Sequence, residues 1–179
     1  MKIGILVGSL RKNSWNKKLA KEVASLIKEK TYFIDLTDMP FYNQDLDLGE
    51  IHPAYTRLRE DVKSCDAFIF ATPEYNRSLA PVLKNAIDIA SRGKEGNLWK
   101  GKPAAVFSST IGSMGGVSSN LALKQSFTCV GLIAMAQPEI YLARINHLID
   151  KDGKLIPDTR DFIQNACDSF VDFAGKIIG

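Results

Sequence analysis

Two stretches concentrate the side chains able to do chemistry. The first, Gly8-Ser9-Leu10-Arg11-Lys12-Asn13-Ser14-Trp15-Asn16, follows an apolar run and opens a helical pattern. Ser9, Ser14 and Asn16 can donate hydrogen bonds and Arg11 can neutralise charge, beside a helix start whose first N–H groups have no partner within the helix. That set suits a phosphate. The same residues would also serve a simple cap, with Asn13 or Ser14 closing the helix and Arg11 and Lys12 solvated. The stretch lacks the second Gly followed by Lys and Ser or Thr of an NTP-binding loop, and it lacks G-x-G-x-x-G spacing. A mononucleotide is therefore favoured over an NTP or a classical dinucleotide fold.

The second stretch, Thr72-Pro73-Glu74-Tyr75-Asn76-Arg77-Ser78-Leu79-Ala80-Pro81, also joins an apolar run to a helical pattern. Pro73 and Pro81 stiffen its ends, Tyr75 offers a flat aromatic face, and the backbone between can reach the polar edge of a heterocycle. A phosphate loop and a flat-ring loop describe the two ends of one ligand. A third loop, Ser108-Ser109-Thr110-Ile111-Gly112-Ser113-Met114-Gly115-Gly116, has glycines that would let backbone approach a ligand, with Ser109, Thr110 and Gly112 nearest the expected crevice. Its end, Met114 to Gly116, reads equally as the start of a helix.

Other chemistries find little support. The three cysteines, Cys65, Cys129 and Cys167, form no CxxC pair and stand at no metal-ligand spacing with His52 or His147, so they are expected to be reduced thiols in or near the core, with no metal. Asp35 is expected to be a solvated strand end, and Lys151-Asp152-Gly153-Lys154 a tight charged turn. The 23 Lys plus Arg against 20 Asp plus Glu leave too small an excess for a nucleic-acid binder. Met1 leads directly into Ile3-Gly4-Ile5-Leu6-Val7 with no basic n-region, and no apolar stretch is long enough to cross a bilayer, so the expectation is a cytoplasmic chain.

The elements that must hold these loops alternate along the chain. Strands are expected at Lys2 to Val7, Tyr32 to Leu36, Ala67 to Ala71, Ala104 to Ser108 and Ile133 to Met135. Helices are expected over Asn16 to Glu29, Pro53 to Ser64, Ala80 to Ser91, Gly116 to Val130 and Asp158 to Ile177. Near-continuous apolar strands between helices indicate a parallel sheet covered on both faces. The expectation is one α/β domain over residues 1–179, a flavodoxin-like three-layer sandwich with a five-stranded parallel sheet in the order 2-1-3-4-5. Its ligand would sit beyond the carboxyl ends of strands one and three, where the winding reverses. The long connections Thr37 to His52 and Gln137 to Pro157 are candidates for functional or interface roles.

Gly8-Ser9-Leu10-Arg11 with Ser14 and Asn16, then Pro73-Glu74-Tyr75-Asn76 with Ser78, Pro81, Leu83, Lys84, Asn85, Ala86, Ile87 and Asp88, resemble the NADPH-dependent FMN reductase family. Met39-Pro40-Phe41-Tyr42-Asn43-Gln44-Asp45 is similar to the family's loop after strand two. The resemblance implies an FMN-dependent NAD(P)H oxidoreductase in which Ser9, Arg11, Ser14 and Asn16 hold the FMN phosphate. Pro73, Glu74, Tyr75, Asn76 and Ser78 would line the ribityl chain and ring, and Ser109, Thr110 and Gly112 would meet the pyrimidine edge. Members of the family often carry one more glycine early in this last loop. The chemistry would belong to the flavin, so no catalytic acid or base is expected. The resemblance further implies a ping-pong exchange between NADPH or NADH and a small acceptor such as a quinone, azo compound, free flavin or metal oxyanion, in a homodimer or tetramer. Two rivals remain at this point: an electron carrier docking to a protein partner, and a non-enzymatic module binding a phosphorylated metabolite.

Overall fold

A computed structural model describes residues 1–179. The order is β1 (Lys2–Val7), α1 (Trp15–Leu26), β2 (Lys30–Phe33), α2 (Pro53–Lys63), β3 (Ala67–Thr72), α3 (Pro81–Ala90), β4 (Pro103–Ser109), α4 (Val117–Val130), β5 (Ile133–Ala134), β6 (Ile140–Leu142), α5 (Ile145–Leu148) and α6 (Pro157–Ile178). The strands form one parallel sheet in the order β2-β1-β3-β4-β5, with β6 also paired to β4. This is the expected flavodoxin-like architecture. No helix is long and apolar enough to cross a membrane.

The alternation of side chains along the strands sorts the core into two layers. Ile3, Ile5 and Val7 of β1, with Ala67, Ile69 and Ala71 of β3, face α1 and α6. Leu6, Phe68 and Phe70 face α2, α3 and α4, where Trp99 packs edge-on against Phe68 with centroids 4.9 Å apart and donates its indole N–H to Ile87 O at 3.0 Å. Strands β3 and β4 are buried along their whole length, which is why they read as unbroken apolar runs.

Three expectations need correction. The second strand pairs over Lys30–Phe33, not Tyr32 to Leu36. Ile34 and Leu36 looked strand-like because they are buried; the Ile34 N–H makes the last bond to β1, to Ile5 O at 3.0 Å, after which the chain leaves the ladder and both side chains pack into the α2–α3 layer. The single fifth strand is two segments: Ala104 pairs with Ala134 but Phe107 with Ile140, so the outer chain spends three extra residues over the same span of β4. This excursion contains the cis Gln137–Pro138 bond. Among the cysteines, Cys65 and Cys167 are buried, and burial pushes both thiols up, Cys167 to about 12. Cys129 is exposed, because two residues past the buried Phe127 it lies on the opposite face of α4. Asp35 is exposed as expected but lies two residues past β2, where its carboxylate accepts from Thr37 and faces Arg57 at 3.8 Å, and the turn at Gly153 (φ 82) is as expected.

Candidate functional site

Parallel pairing brings the loops after β1, β3 and β4 to one edge of the sheet, and β1 lies between β2 and β3, so the winding reverses there. The loop after β1 bends away from Ala71, whose carbonyl accepts the Gly8 N–H at 2.8 Å. A Cβ on Gly8 would meet Leu83 Cδ1 at 2.8 Å and Ala80 Cβ and Pro73 Cδ at 3.0 Å, so only glycine lets the first two loops approach this closely. Beyond Gly8, the backbone N–H groups of residues 9 to 16 donate to no acceptor within the chain. Ser14 caps α1, its Oγ accepting from Lys17 N–H at 3.2 Å. Arg11 is exposed, donates to Asn13 O at 2.9 Å and makes no ion pair. A guanidinium without a carboxylate partner, beside a helix N-terminus and free N–H groups, is a donor set for a phosphate.

The loop after β3 is a tight hairpin. Tyr75 and Ser78 exchange both backbone hydrogen bonds at 3.0 Å, and the two residues between them, Asn76 (φ 49) and Arg77 (φ 65), are left-handed. The Asn76 and Arg77 N–H groups at its tip are unpaired. In the loop after β4, Thr110 N–H donates to Leu142 O at 3.1 Å, then Ile111 to Gly116 again offer N–H groups without partners. Gly115 is left-handed (φ 62) and lies against Tyr141, while Gly116 starts α4 (φ 82). The helix start expected at Met114 to Gly116 is thus present, in the same turn that carries the unpartnered N–H groups.

Side chains brace the three loops to one another. Asn16, only 4 % exposed, donates from Nδ2 to Ser109 O at 3.1 Å and accepts at Oδ1 from Ser109 Oγ at 2.9 Å. Glu74 Oε2 accepts from Ser118 N–H at 2.9 Å, placing a carboxylate at the start of α4, and its Oε1 lies 3.6 Å from Arg77. Thr72 and Ser119 hydroxyls meet at 2.8 Å. Such cross-ties fix the crevice before any ligand arrives.

Eight of the residues singled out in the sequence, Ser9, Arg11, Ser14, Asn16, Pro73, Glu74, Tyr75 and Thr110, line one crevice of about 290 Å³. Asn76, Ser78, Ser109 and Gly112 stand outside its wall: Asn76 at the hairpin tip, Ser78 in the bridge to Tyr75, Ser109 beneath Asn16, and Gly112 in the loop that receives Arg144 N–H at 2.9 Å. The sequence reading missed Trp15, Ile111 and Ile145 as lining residues. Trp15 and Ile111 sat inside quoted motifs, whereas Ile145 reaches the site only through the pairing of β6. A larger cavity of about 780 Å³ opens alongside and shares Arg11 and Tyr75, and its other walls include Met39, Phe41, His52 and Asn85. His52 Nδ1 accepts from Ala54 N–H at 3.2 Å and so caps α2. The arrangement can hold a phosphate at one end and present a flat group, flanked by Tyr75, to a second molecule at the other.

Comparison with known proteins gives a consistent picture. The model of the NADPH-dependent FMN reductase family matches residues 1–147. A quinone reductase of Pseudomonas putida is 39 % identical over 170 residues, covering 94 % of this chain and 91 % of that protein. A 2-hydroxy-1,4-benzoquinone reductase of a Burkholderia species is 35 % identical over 173 residues, 95 % of this chain and 94 % of that one. Among solved structures, the flavoenzyme NAD(P)H:(acceptor) oxidoreductase of Paracoccus denitrificans superposes with a TM-score of 0.91 at 36 % identity, covering 98 % of this chain and 97 % of that one.

Proposed function

The chain belongs to the NADPH-dependent FMN reductase family, and from that premise we propose that it is an FMN-dependent NAD(P)H oxidoreductase that reduces quinones. The observation that carries the reading is the run of unpartnered N–H groups from residue 9 to 16, ending at α1 beside an unpaired Arg11, in the crevice that also takes in Tyr75 and Thr110. That donor set fits FMN. Ser9, Arg11 and Ser14, with the Asn16 backbone, would hold its phosphate. Pro73, Glu74, Tyr75, Asn76 and Ser78 would flank the ribityl chain and ring, and the backbone from Ser109 and Thr110 to Gly112 would face the ring's polar edge. When bound, FMN supplies the hydride-accepting and hydride-donating centre.

The chain's own residues bind, orient and shield. Free N–H groups at 76, 77 and 111 to 116 are fixed donors for carbonyl and ring-nitrogen acceptors. The Asn16–Ser109 and Glu74–Ser118 ties keep those donors in place, so little reorganisation accompanies the reaction. Both substrates would use the opening beside Tyr75 in turn, the oxidised nicotinamide leaving before the acceptor enters. The net exchange takes a hydride, two electrons and one proton, from the nicotinamide and one further proton from water, so a quinone leaves as hydroquinone. Azo compounds, free flavin and metal oxyanions are further acceptors open to such a site. Ile111, Met114 and Leu121, all exposed around the β4 loop and α4, favour a homodimer in which a second copy covers them. Three free cysteines suit a cytoplasmic setting.

The test is an anaerobic visible spectrum of the FMN-loaded protein before and after one equivalent of NADPH. Loss of the oxidised flavin band is expected. An unchanged spectrum with FMN still bound would refute the reductase and favour an electron carrier.

A further inference from the structure

The larger cavity and the cofactor crevice share Arg11 and Tyr75, so a molecule filling the first reaches the edge of whatever fills the second. Its volume, about 780 Å³, is that of a small-molecule site. Leu10, Phe41 and Tyr75 give it an apolar rim, and all three are exposed. Phe41 is the extreme case at 74 %.

A lone exposed aromatic is ordinarily unremarked surface on a mobile loop. Here buried polar side chains hold the backbone on both sides of it. Asn85 Nδ2 donates to Pro40 O at 2.9 Å and its Oδ1 accepts from Tyr42 N–H at 2.7 Å. The Tyr55 hydroxyl donates to Phe41 O at 2.7 Å and accepts from Asn43 N–H at 3.0 Å. Asn85 and Tyr55 are themselves buried. Farther along the loop, Arg59 grips Asp47 with two bonds of 2.6 and 2.7 Å while donating to Ile89 O. Four backbone groups around Phe41, the carbonyls of Pro40 and Phe41 and the N–H groups of Tyr42 and Asn43, are therefore held by the α2–α3 layer, and the ring is presented at the cavity mouth from a fixed backbone. A ring fixed in advance loses little freedom when a flat ligand stacks on it.

We infer that Phe41 is the acceptor-selecting wall: a planar, multi-ring quinone enters the larger cavity and lays a ring against Phe41, while Asn85 and Tyr55 are positioning residues that hold the Phe41 backbone. This rests on the quinone-reductase reading given above. The cavity lining adds His52, whose Nε2–H can donate to a quinone oxygen because Nδ1 accepts from Ala54 N–H, and Asp38, whose carboxylate can accept from a hydroquinone hydroxyl or water. Because Asn85 spends its amide on Pro40 and Tyr42, its part is to hold the loop and not to bind the acceptor.

The measurement is acceptor selectivity, the ratio of kcat/KM for 1,4-naphthoquinone to that for 1,4-benzoquinone with NADPH as donor. When the nicotinamide product leaves first, each kcat/KM reports the acceptor step alone, so the ratio is blind to changes in the nicotinamide step. Phe41→Ala is expected to lower the ratio about tenfold, the scale of one aromatic stack, and Phe41→Trp to restore it. Asn85→Ala should lower the ratio with Phe41 still present, and combining it with Phe41→Ala should bring little further loss. An unchanged ratio in Phe41→Ala overturns the inference. So does a Phe41→Ala protein that falls from dimer to monomer in light scattering, which would make Phe41 a subunit anchor. A wild-type protein that reduces neither quinone refutes the reductase reading itself, an outcome distinct from an active enzyme whose selectivity ignores Phe41.

Discussion

Replacing Asn16 with alanine separates two roles that the geometry allows to be told apart, ligand and brace. Its amide makes two bonds to Ser109, at 3.1 and 2.9 Å, between residues 4 % and 0 % exposed. Truncation leaves the Ser109 hydroxyl and carbonyl without these partners and without water. Each such buried orphan costs about 1–3 kcal/mol, so a loss of about 3 kcal/mol for the pair is in the lower half of the range. For a chain of this length each kcal/mol moves Tm by about 2–4 °C, and the apoprotein should melt about 6–12 °C lower. Thermal unfolding of the apoprotein followed by circular dichroism reads this directly. Ser109→Ala should capture part of the same loss, and the double variant should fall short of the sum, because one pair is being removed twice. FMN affinity should weaken in both single variants alike, through loosening of the loops. The reasoning fails if the Asn16→Ala apoprotein melts as the wild type does while FMN binding collapses, for then the amide serves the ligand and not the loop.

Arg11→Ala removes a guanidinium with no carboxylate partner and should cost about 1.5–3 kcal/mol of FMN binding, measured by fluorescence titration, with little change in apoprotein Tm. Gly115→Ala demands a left-handed alanine whose Cβ would lie 2.7 Å from Tyr141 C, so the β4 loop must shift, and the FMN-loaded protein should lose both cofactor and Tm. The bidentate hydrogen bonds from Arg59 hold the Asp47 carboxyl below its usual range, so its stabilising contribution is present above the unfolded pKa and lost as pH falls through the lowered folded value. Asp47→Asn should therefore destabilise at pH 7 by about 3–5 kcal/mol, leaving Arg59 buried and unpaired, and should flatten the acid limb of a denaturant midpoint against pH profile.

The local chemistry was legible from residue types alone. The phosphate loop from Gly8 to Asn16, the Pro73 to Pro81 loop and the alternation of strands and helices are written in short-range patterns, because turn residues, caps and apolar periodicity act over a few neighbours. Eight of the expected residues meet in one crevice for that reason: each sits at the carboxyl end of a parallel strand or just beyond it, and the strand order places those ends together. What the sequence by itself could not state is which side chains face a ligand and which face one another. Asn16 and Ser109 are separated by 93 residues, Glu74 and Ser118 by 44, and only the order β1-β3-β4 within the sheet makes them partners. The same holds for Asn85 and its bonds to Pro40 and Tyr42, for the break between β5 and β6, and for Cys129 lying outside while Cys167 lies within. Hydrogen-bond satisfaction and burial are properties of the closed fold, where a polar group must find a partner across the chain or lose the water it left, and those partners exist only once the sheet has set the register.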